Sequence, residues 1–172
     1  MQNKERGLTL IEILFYVAIL AMLVLAVLQA LIPLGRSFRT LSANTSINTT
    51  AQVALERMVR EIRGGTSVDL ANSTLGSSPG VLQLNTLDSG GNATTVQFYL
   101  SGTTLRLKEA GIDSGPLAPS SARVTSLIFR KITTSNSQAV KVEITVESGS
   151  GASYISKKFY TTAVLRGSYP ST

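Results

Sequence analysis

Three residue types are missing from the 172-residue chain, which has no cysteine, no histidine and no tryptophan. Without cysteine there are no disulfides and no thiol nucleophile, and the common zinc ligand sets also lose both of their main donors. The absence of histidine removes the usual general acid and base near neutral pH. We therefore expect a protein that is not an enzyme and that needs no metal or other cofactor.

Charged residues are also scarce, at 15% of the chain against 43% hydrophobic residues. Much of the apolar material forms one block at residues 8–34, where Glu12 is the only ionisable side chain. At about 1.5 Å of rise per residue, a helix of this length crosses the roughly 30 Å hydrocarbon layer of a bilayer. The block is predicted to be a membrane-spanning helix.

The flanks of this block predict its orientation. Lys4 and Arg6 precede it, and a short basic leader is kept in the cytoplasm by the positive-inside rule. Arg36 and Arg39 follow it and weaken the signal. The chain from about Gly35 onward is therefore expected outside the cytoplasm.

Three kinds of apolar N-terminal segment are compatible with these features: a cleaved secretory signal, a plain signal anchor, or a membrane helix processed at its cytoplasmic end. A secretory signal has an apolar region of about 7–15 residues followed by a small-residue cleavage site. Here the apolar region is longer, and the best such site is Gly35-Arg36-Ser37. This disfavours the secretory signal and leaves the other two open.

The junction at the start of the block reads Lys-Glu-Arg-Gly-Leu-Thr-Leu-Ile-Glu over residues 4–12. It resembles the class III signal of type IV prepilins and type II secretion pseudopilins, although Leu8 stands where the family usually has phenylalanine. The resemblance implies that prepilin peptidase cuts between Gly7 and Leu8 and that Leu8 is then methylated on its amine. It also implies that Glu12 meets the amine of a neighbouring subunit and sets the register of a filament.

The residue types at this junction suit that chemistry. Gly7 gives a protease at the membrane surface a backbone without a side chain. A carboxylate at the centre of a bilayer helix costs about 2.5–3.5 kcal/mol, so Glu12 calls for a partner of opposite charge. The alternative is that Glu12 lies at headgroup depth in the first helical turn, where the helix dipole favours an acid.

Beyond the membrane block, residues 35–65 are predicted to form an amphipathic helix that ends at Gly64-Gly65. Pro33 and Gly35 predict a bend or a melted turn before it. One apolar stripe follows the helical spacing and is expected to face a sheet: Ile47, Ala51, Leu55, Met58 and Ile62, widened by Val59. The arginines at the end of this helix, Arg57, Arg60 and Arg63, are interpreted as a solvated face or local ion pairs rather than a phosphate-binding edge.

From residue 66 the apolar period changes to two, which predicts strands. The predicted strands are Val81–Leu87, Thr95–Leu100, Thr103–Lys108, Val124–Ile132, Ala139–Glu147 and Tyr154–Arg166. The turns at Ser101-Gly102 and Ser148–Ser153 predict hairpins. The fold class is therefore predicted as α+β, in which the C-terminal half of a long N-terminal membrane-spanning helix packs on an antiparallel sheet.

This pilin-like arrangement is similar to the W-type minor pilins and J-type minor pseudopilins. The likeness rests on Leu55, Glu61, Ile62 and Arg63 at the end of the helix and on the segments 96–106 and 159–166. The expected organisation is a cytoplasmic leader at 1–7, a transmembrane and filament-core helix at 8–34, an amphipathic helix at 35–65 and an extracytoplasmic β-rich domain at 66–172.

The resemblance implies a structural subunit of a type IV pilus or a type II secretion-like pseudopilus, stored in the bacterial inner membrane. Its partners would be the prepilin peptidase and methyltransferase, other pilin or pseudopilin subunits, the inner-membrane assembly platform and membrane lipid. The alternative is a membrane-anchored β-domain that never polymerises and binds a cell-wall, DNA or solute ligand.

Two other ligands are less favoured by the residues. Glu109 and Asp113 do not meet a calcium template, so a solvated loop is expected there. The net charge of +6 attracts DNA, but the basic residues form no run and aromatic residues make up only 6%.

Overall fold

The computed structural model describes residues 9–134 and 137–166. One long helix, α1, is followed by antiparallel strands and a 3₁₀ turn at Gly151–Ser153. The elements are α1 (Leu10–Gly64), β1 (Ser67–Thr74), β2 (Val81–Leu87), β3 (Ala93–Ser101), β4 (Thr104–Glu109), β5 (Ile112–Pro116), β6 (Arg123–Thr133), β7 (Gln138–Ser148) and β8 (Ile155–Val164). This is the α+β class that the sequence predicts.

Helix α1 runs through Pro33 and Gly35 without interruption, so the prediction of a melted turn there is wrong. A proline removes its own N–H and costs the helix one hydrogen bond, whereas a melted turn would leave several backbone groups of an apolar segment without partners. One turn later the Ser37 hydroxyl donates a hydrogen bond to the Pro33 carbonyl at 3.0 Å. The chain nevertheless divides into two compact units between Arg39 and Thr40.

The second unit contains two antiparallel sheets. The strand order is β1-β2-β3-β4-β5 in one and β6-β7-β8 in the other. All six predicted strands are present, and both predicted hairpins are confirmed: β3 pairs with β4 through Ser101 opposite Thr104, and β7 pairs with β8 through Ser148 opposite Ile155. Gly102 supports the first turn with a φ of 62°, a conformation that glycine adopts at little cost.

Two strands, β1 and β5, were not predicted. Both lie at the edges of the five-stranded sheet. In β1 only Val68 is buried, and β5 contains Gly115 and Pro116, two residue types that are more common in turns than in strands. Edge strands tolerate such residues because one side of the backbone needs no partner and few side chains need cover.

The second half of α1 and both sheets share one hydrophobic core. From α1, the predicted residues Ile47, Ala51, Met58 and Ile62 are buried, which confirms the stripe. Leu55 and Val59 are only partly buried, and Ala54 occupies the centre instead, with 0% of its surface exposed. Small side chains at this position let the helix approach the strands closely while the interior stays densely packed.

The core gives a direct test of the fold. Phe98 on β3 is 0% exposed, whereas Ile112 on β5 is 74% exposed. We expect Phe98→Ala to lower the free energy of unfolding by about 3–5 kcal/mol, since it removes a buried ring and leaves a cavity. Ile112→Ala is expected to stay within about 0.5 kcal/mol of the wild type. Urea unfolding followed by tyrosine fluorescence measures both, and equal losses would contradict this core.

Candidate functional site

The first half of α1 is an apolar rod that the rest of the described chain does not cover. Every large apolar side chain described between Leu10 and Leu34 is at least 50% exposed. The helix has a mean hydropathy of 2.8 over an 18-residue window, and none of that window is buried. It is long and apolar enough to cross a membrane. A surface of this kind needs lipid or other apolar helices to cover it.

Glu12 lies in the first turn of this helix. The Thr9 carbonyl accepts hydrogen bonds from the backbone N–H groups of Glu12 at 3.0 Å and of Ile13 at 3.2 Å, so Thr9 is the N-cap of the helix. The carboxylate of Glu12 is exposed, and it forms no ion pair within residues 9–134 and 137–166. An acid at a helix N-terminus is favoured by the dipole, and this one is accessible to a cationic group from outside the chain.

Gly7 and Leu8, the predicted processing residues, lie outside the described residues. Cleavage between them, methylation of Leu8 and the register role of Glu12 therefore stay predictions.

Residues 2–28 match the family described as the prokaryotic N-terminal methylation motif. Residues 2–28 carry a prepilin-type methylation motif. The match supports the type IV pilin and pseudopilin family, as the sequence predicted, and it spans Gly7, Leu8 and Glu12. No curated protein and no solved structure matches the chain.

Several general properties follow from a signal of this class. It implies processing by prepilin peptidase and pilin-type assembly, and together with the apolar helix it indicates membrane anchoring. The family that carries the motif is structural rather than catalytic. The match covers only residues 2–28, so the second unit, which contains the strands and is called the β-rich unit below, is characterised by its own structure.

The arginines at the end of α1 fall into two groups. Arg57 is held by acids: its Nε lies 2.9 Å from Glu61 Oε1, and its Nη2 donates a hydrogen bond to Glu109 Oε1 at 2.8 Å. Arg60 and Arg63 form no ion pair in the part of the chain that the structure describes. The predicted local ion pairs are found at Arg57, and the exposed side chains of Arg60 and Arg63 agree with the predicted solvated face.

Arg60 and Arg63 instead line a groove together with Arg166, which follows β8. Sequence reasoning missed this grouping because Arg166 is more than a hundred positions from the helix. No local spacing signals such a contact.

The expected solvated loop at Glu109 and Asp113 is wrong, because these residues lie on the paired strands β4 and β5. Asp113 accepts hydrogen bonds from Arg106 Nε at 2.8 Å, from the Tyr99 hydroxyl at 3.1 Å and from the Gly115 N–H at 2.9 Å. With Glu109 bound to Arg57, both carboxylates already have cationic partners within the chain.

Hydrogen bonds lower the pKa of four acids in the β-rich unit. The Arg106 side chain lowers the pKa of Asp113, and the Lys141 side chain lowers the pKa of Glu143. The pKa of Asp69 is lowered by the side chain of Asn72, and that of Asp88 by the backbone N–H of Asn92. The folded state therefore holds these groups ionised more strongly than the unfolded chain does.

These shifts predict acid sensitivity. A carboxylate whose pKa is lowered by folding stabilises the folded state above its unfolded pKa of about 4, and this contribution is lost as the pH falls through the folded pKa. We expect the urea midpoint to decrease when the pH is lowered from about 5 to about 2.5. The urea midpoint of the Asp113→Asn variant should decrease less over the same pH interval, because this variant has lost one of the titrating groups. An equal decrease in both proteins would contradict the contribution of Asp113.

Proposed function

We propose that this protein is a minor pilin or pseudopilin subunit that prepilin peptidase cuts between Gly7 and Leu8. The new N-terminal Leu8 is methylated, and the subunit enters a type IV pilus or a type II secretion-like pseudopilus. The observation that carries this proposal is the long uncovered helix in a chain whose residues 2–28 match the methylation motif.

The uncovered helix has two suitable environments. Before assembly, lipid of the inner membrane surrounds residues 8–34, with the basic leader in the cytoplasm and the β-rich unit outside. In the filament, the apolar helices of neighbouring subunits replace the lipid. When the helix moves from lipid into the filament, little apolar surface is exposed to water. The hydrophobic effect therefore does not oppose assembly of such helices into a polymer.

Glu12 gives this transfer a specific register. Cleavage creates a cationic amine at Leu8, close to the position where the apolar helix begins. An unpaired charge in hydrocarbon costs about 2.5–3.5 kcal/mol, so subunits are stabilised where one amine meets the exposed Glu12 of its neighbour. The ion pair thereby selects one axial offset among many offsets that apolar contacts alone would permit.

The assignment to a minor subunit rests on the end of α1. Glu61, Ile62 and Arg63 match the segment that closes the long helix in W-type minor pilins and J-type minor pseudopilins. Here Ile62 is buried in the core that α1 shares with the sheets, so this segment packs the end of the helix against the strands, and Glu61 pairs with Arg57 one turn earlier on the same helix.

The processing step is tested at Gly7. Mass spectrometry of the protein from its native host should find a chain that starts at N-methylated Leu8. Gly7→Leu should leave the leader attached, since a bulky side chain hinders the protease beside the bond. Gly35→Leu is the matched control, because no atom lies within 4 Å of an added Cβ there. A wild-type chain that keeps residues 1–7 would instead support the anchored β-domain that does not polymerise.

The register step is tested at Glu12. Glu12→Gln retains the size of the side chain and removes its charge, so the variant should insert into the membrane normally. Its incorporation into sheared filaments should fall about 100-fold, which corresponds to the cost of an unpaired amine in hydrocarbon. The control Glu56→Gln changes an exposed acid on the second half of the helix. Wild-type incorporation of Glu12→Gln would rule out the ion pair.

A further inference from the structure

The two edge strands of the three-stranded sheet, β6 and β8, differ in the hydrogen bonds that they receive from the described part of the chain. The outer edge of β6 is covered: the backbone N–H groups of Gly76 and Gly80 donate hydrogen bonds to the carbonyls of Phe129 and Leu127, both at 2.8 Å. The outer edge of β8 receives no such bond from the residues that the structure describes. β8 is 10 residues long, and among residues 9–134 and 137–166 its strand partner is β7 alone.

A strand edge of this length that no described residue covers is unusual. About half of the backbone donors and acceptors of β8 point away from β7, where they form a ready template for another strand. Chains commonly protect such edges with short strands, bulges or a covering loop, as the segment with Gly76 and Gly80 does for β6.

A cationic groove borders this open edge. It has a volume of about 910 Å³ and lies between the end of α1 and β8. Arg60, Arg63 and Arg166 line it, all three are exposed, and none forms an ion pair within the described ranges. Glu56 is the one acid among the described residues that line the groove. Its Oε1 accepts a hydrogen bond from Gln52 Nε2 at 2.9 Å.

The groove also offers apolar surface. Leu55 and Val59 are partly buried on its helical side, and Tyr160 of β8 is 56% exposed on its other side. Lys141 Nζ lies 5.3 Å from the centre of the Tyr160 ring, which favours a fixed position for that ring. A guest in the groove therefore meets backbone groups, guanidinium groups and apolar side chains together.

We propose that the outer edge of β8 is the docking site for an extended acidic segment of a partner protein, which adds to the sheet β6-β7-β8 as a further strand. The backbone of the guest pairs with β8. Its acidic side chains meet Arg60, Arg63 and Arg166, and its intervening apolar side chains contact Leu55 and Val59.

The observations favour a peptide over a nucleic acid. A phosphate backbone would satisfy the arginines, but it has no regular donors and acceptors for the open edge of β8. The docking site lies wholly within the unit that begins at Thr40. It is therefore independent of whether the N-terminal helix polymerises.

The probe is a fluorescent peptide of about seven residues in which glutamate and valine alternate, blocked at both ends. Its binding to the full chain in nonionic detergent micelles is measured by fluorescence anisotropy. We expect saturable binding, and the combined change Arg60→Gln, Arg63→Gln and Arg166→Gln should weaken it about tenfold, as expected for the loss of three exposed charge pairs. Circular dichroism checks that the variant remains folded.

Two control changes isolate the two components of the site. Arg123→Gln removes an exposed arginine outside the groove and should leave the affinity unchanged. A peptide of the same sequence with alternate amides N-methylated keeps its charge but cannot pair with β8, so it should not bind.

Three results would overturn the proposal. The first is an absence of binding by the unmodified peptide. The second is equal binding by the N-methylated peptide, which would show that charge alone attracts the guest. The third is tighter binding by a short oligothymidylate that depends on the same arginines, which would make the groove a nucleic-acid site.

Discussion

The apolar surface of one helix is the constraint on which the rest of this structure depends. Helix α1 has apolar side chains along both of its halves, and the described part of the chain buries them in the second half alone. Strands bury residues such as Ile47 and Met58 in the second half, whereas the described side chains between Leu10 and Leu34 remain exposed. The exposed apolar surface of the first half is removed from water only by contact with lipid or with other apolar helices.

This division explains why charge is placed so sparingly in the first half. Between Leu10 and Leu34, Glu12 is the single acid on an apolar surface. Apolar contacts along such a surface resemble one another, so two apolar helices can slide past each other at little cost in free energy. Apolar packing is non-directional, but an ion pair in a low-dielectric environment has a position. In the proposed filament, one carboxylate in an otherwise apolar segment therefore specifies a register that further leucines would not provide.

In the second unit, charge has a different role. Asp113 on β5 binds Arg106 on β4, and Glu109 on β4 binds Arg57 on α1. These ion pairs join elements that the hydrophobic core already holds together. Such exposed pairs contribute little energy individually. Arg60, Arg63 and Arg166 form no ion pair with the described residues, and they are more informative because the fold gathers them in one groove beside a strand edge.

Local patterns were sufficient for much of this architecture. The alternation from Val140 to Val146 predicted β7, and the apolar stripe from Ile47 to Ile62 predicted the buried face of α1, because side chains on a strand or a helix repeat with fixed periods. The junction around Gly7 and Glu12 predicted the signal class from a short motif that needs no tertiary context.

Other features arose only when distant segments met. Strands β1 and β5 gain their hydrogen bonds from β2 and β4, which no period within their own residues reveals. Helix α1 continues through Pro33 although that residue favours a break. Arg60 and Arg166 line the same groove because of where β8 ends relative to α1. Contacts between remote segments are set by packing in three dimensions, so they leave no regular spacing in the sequence.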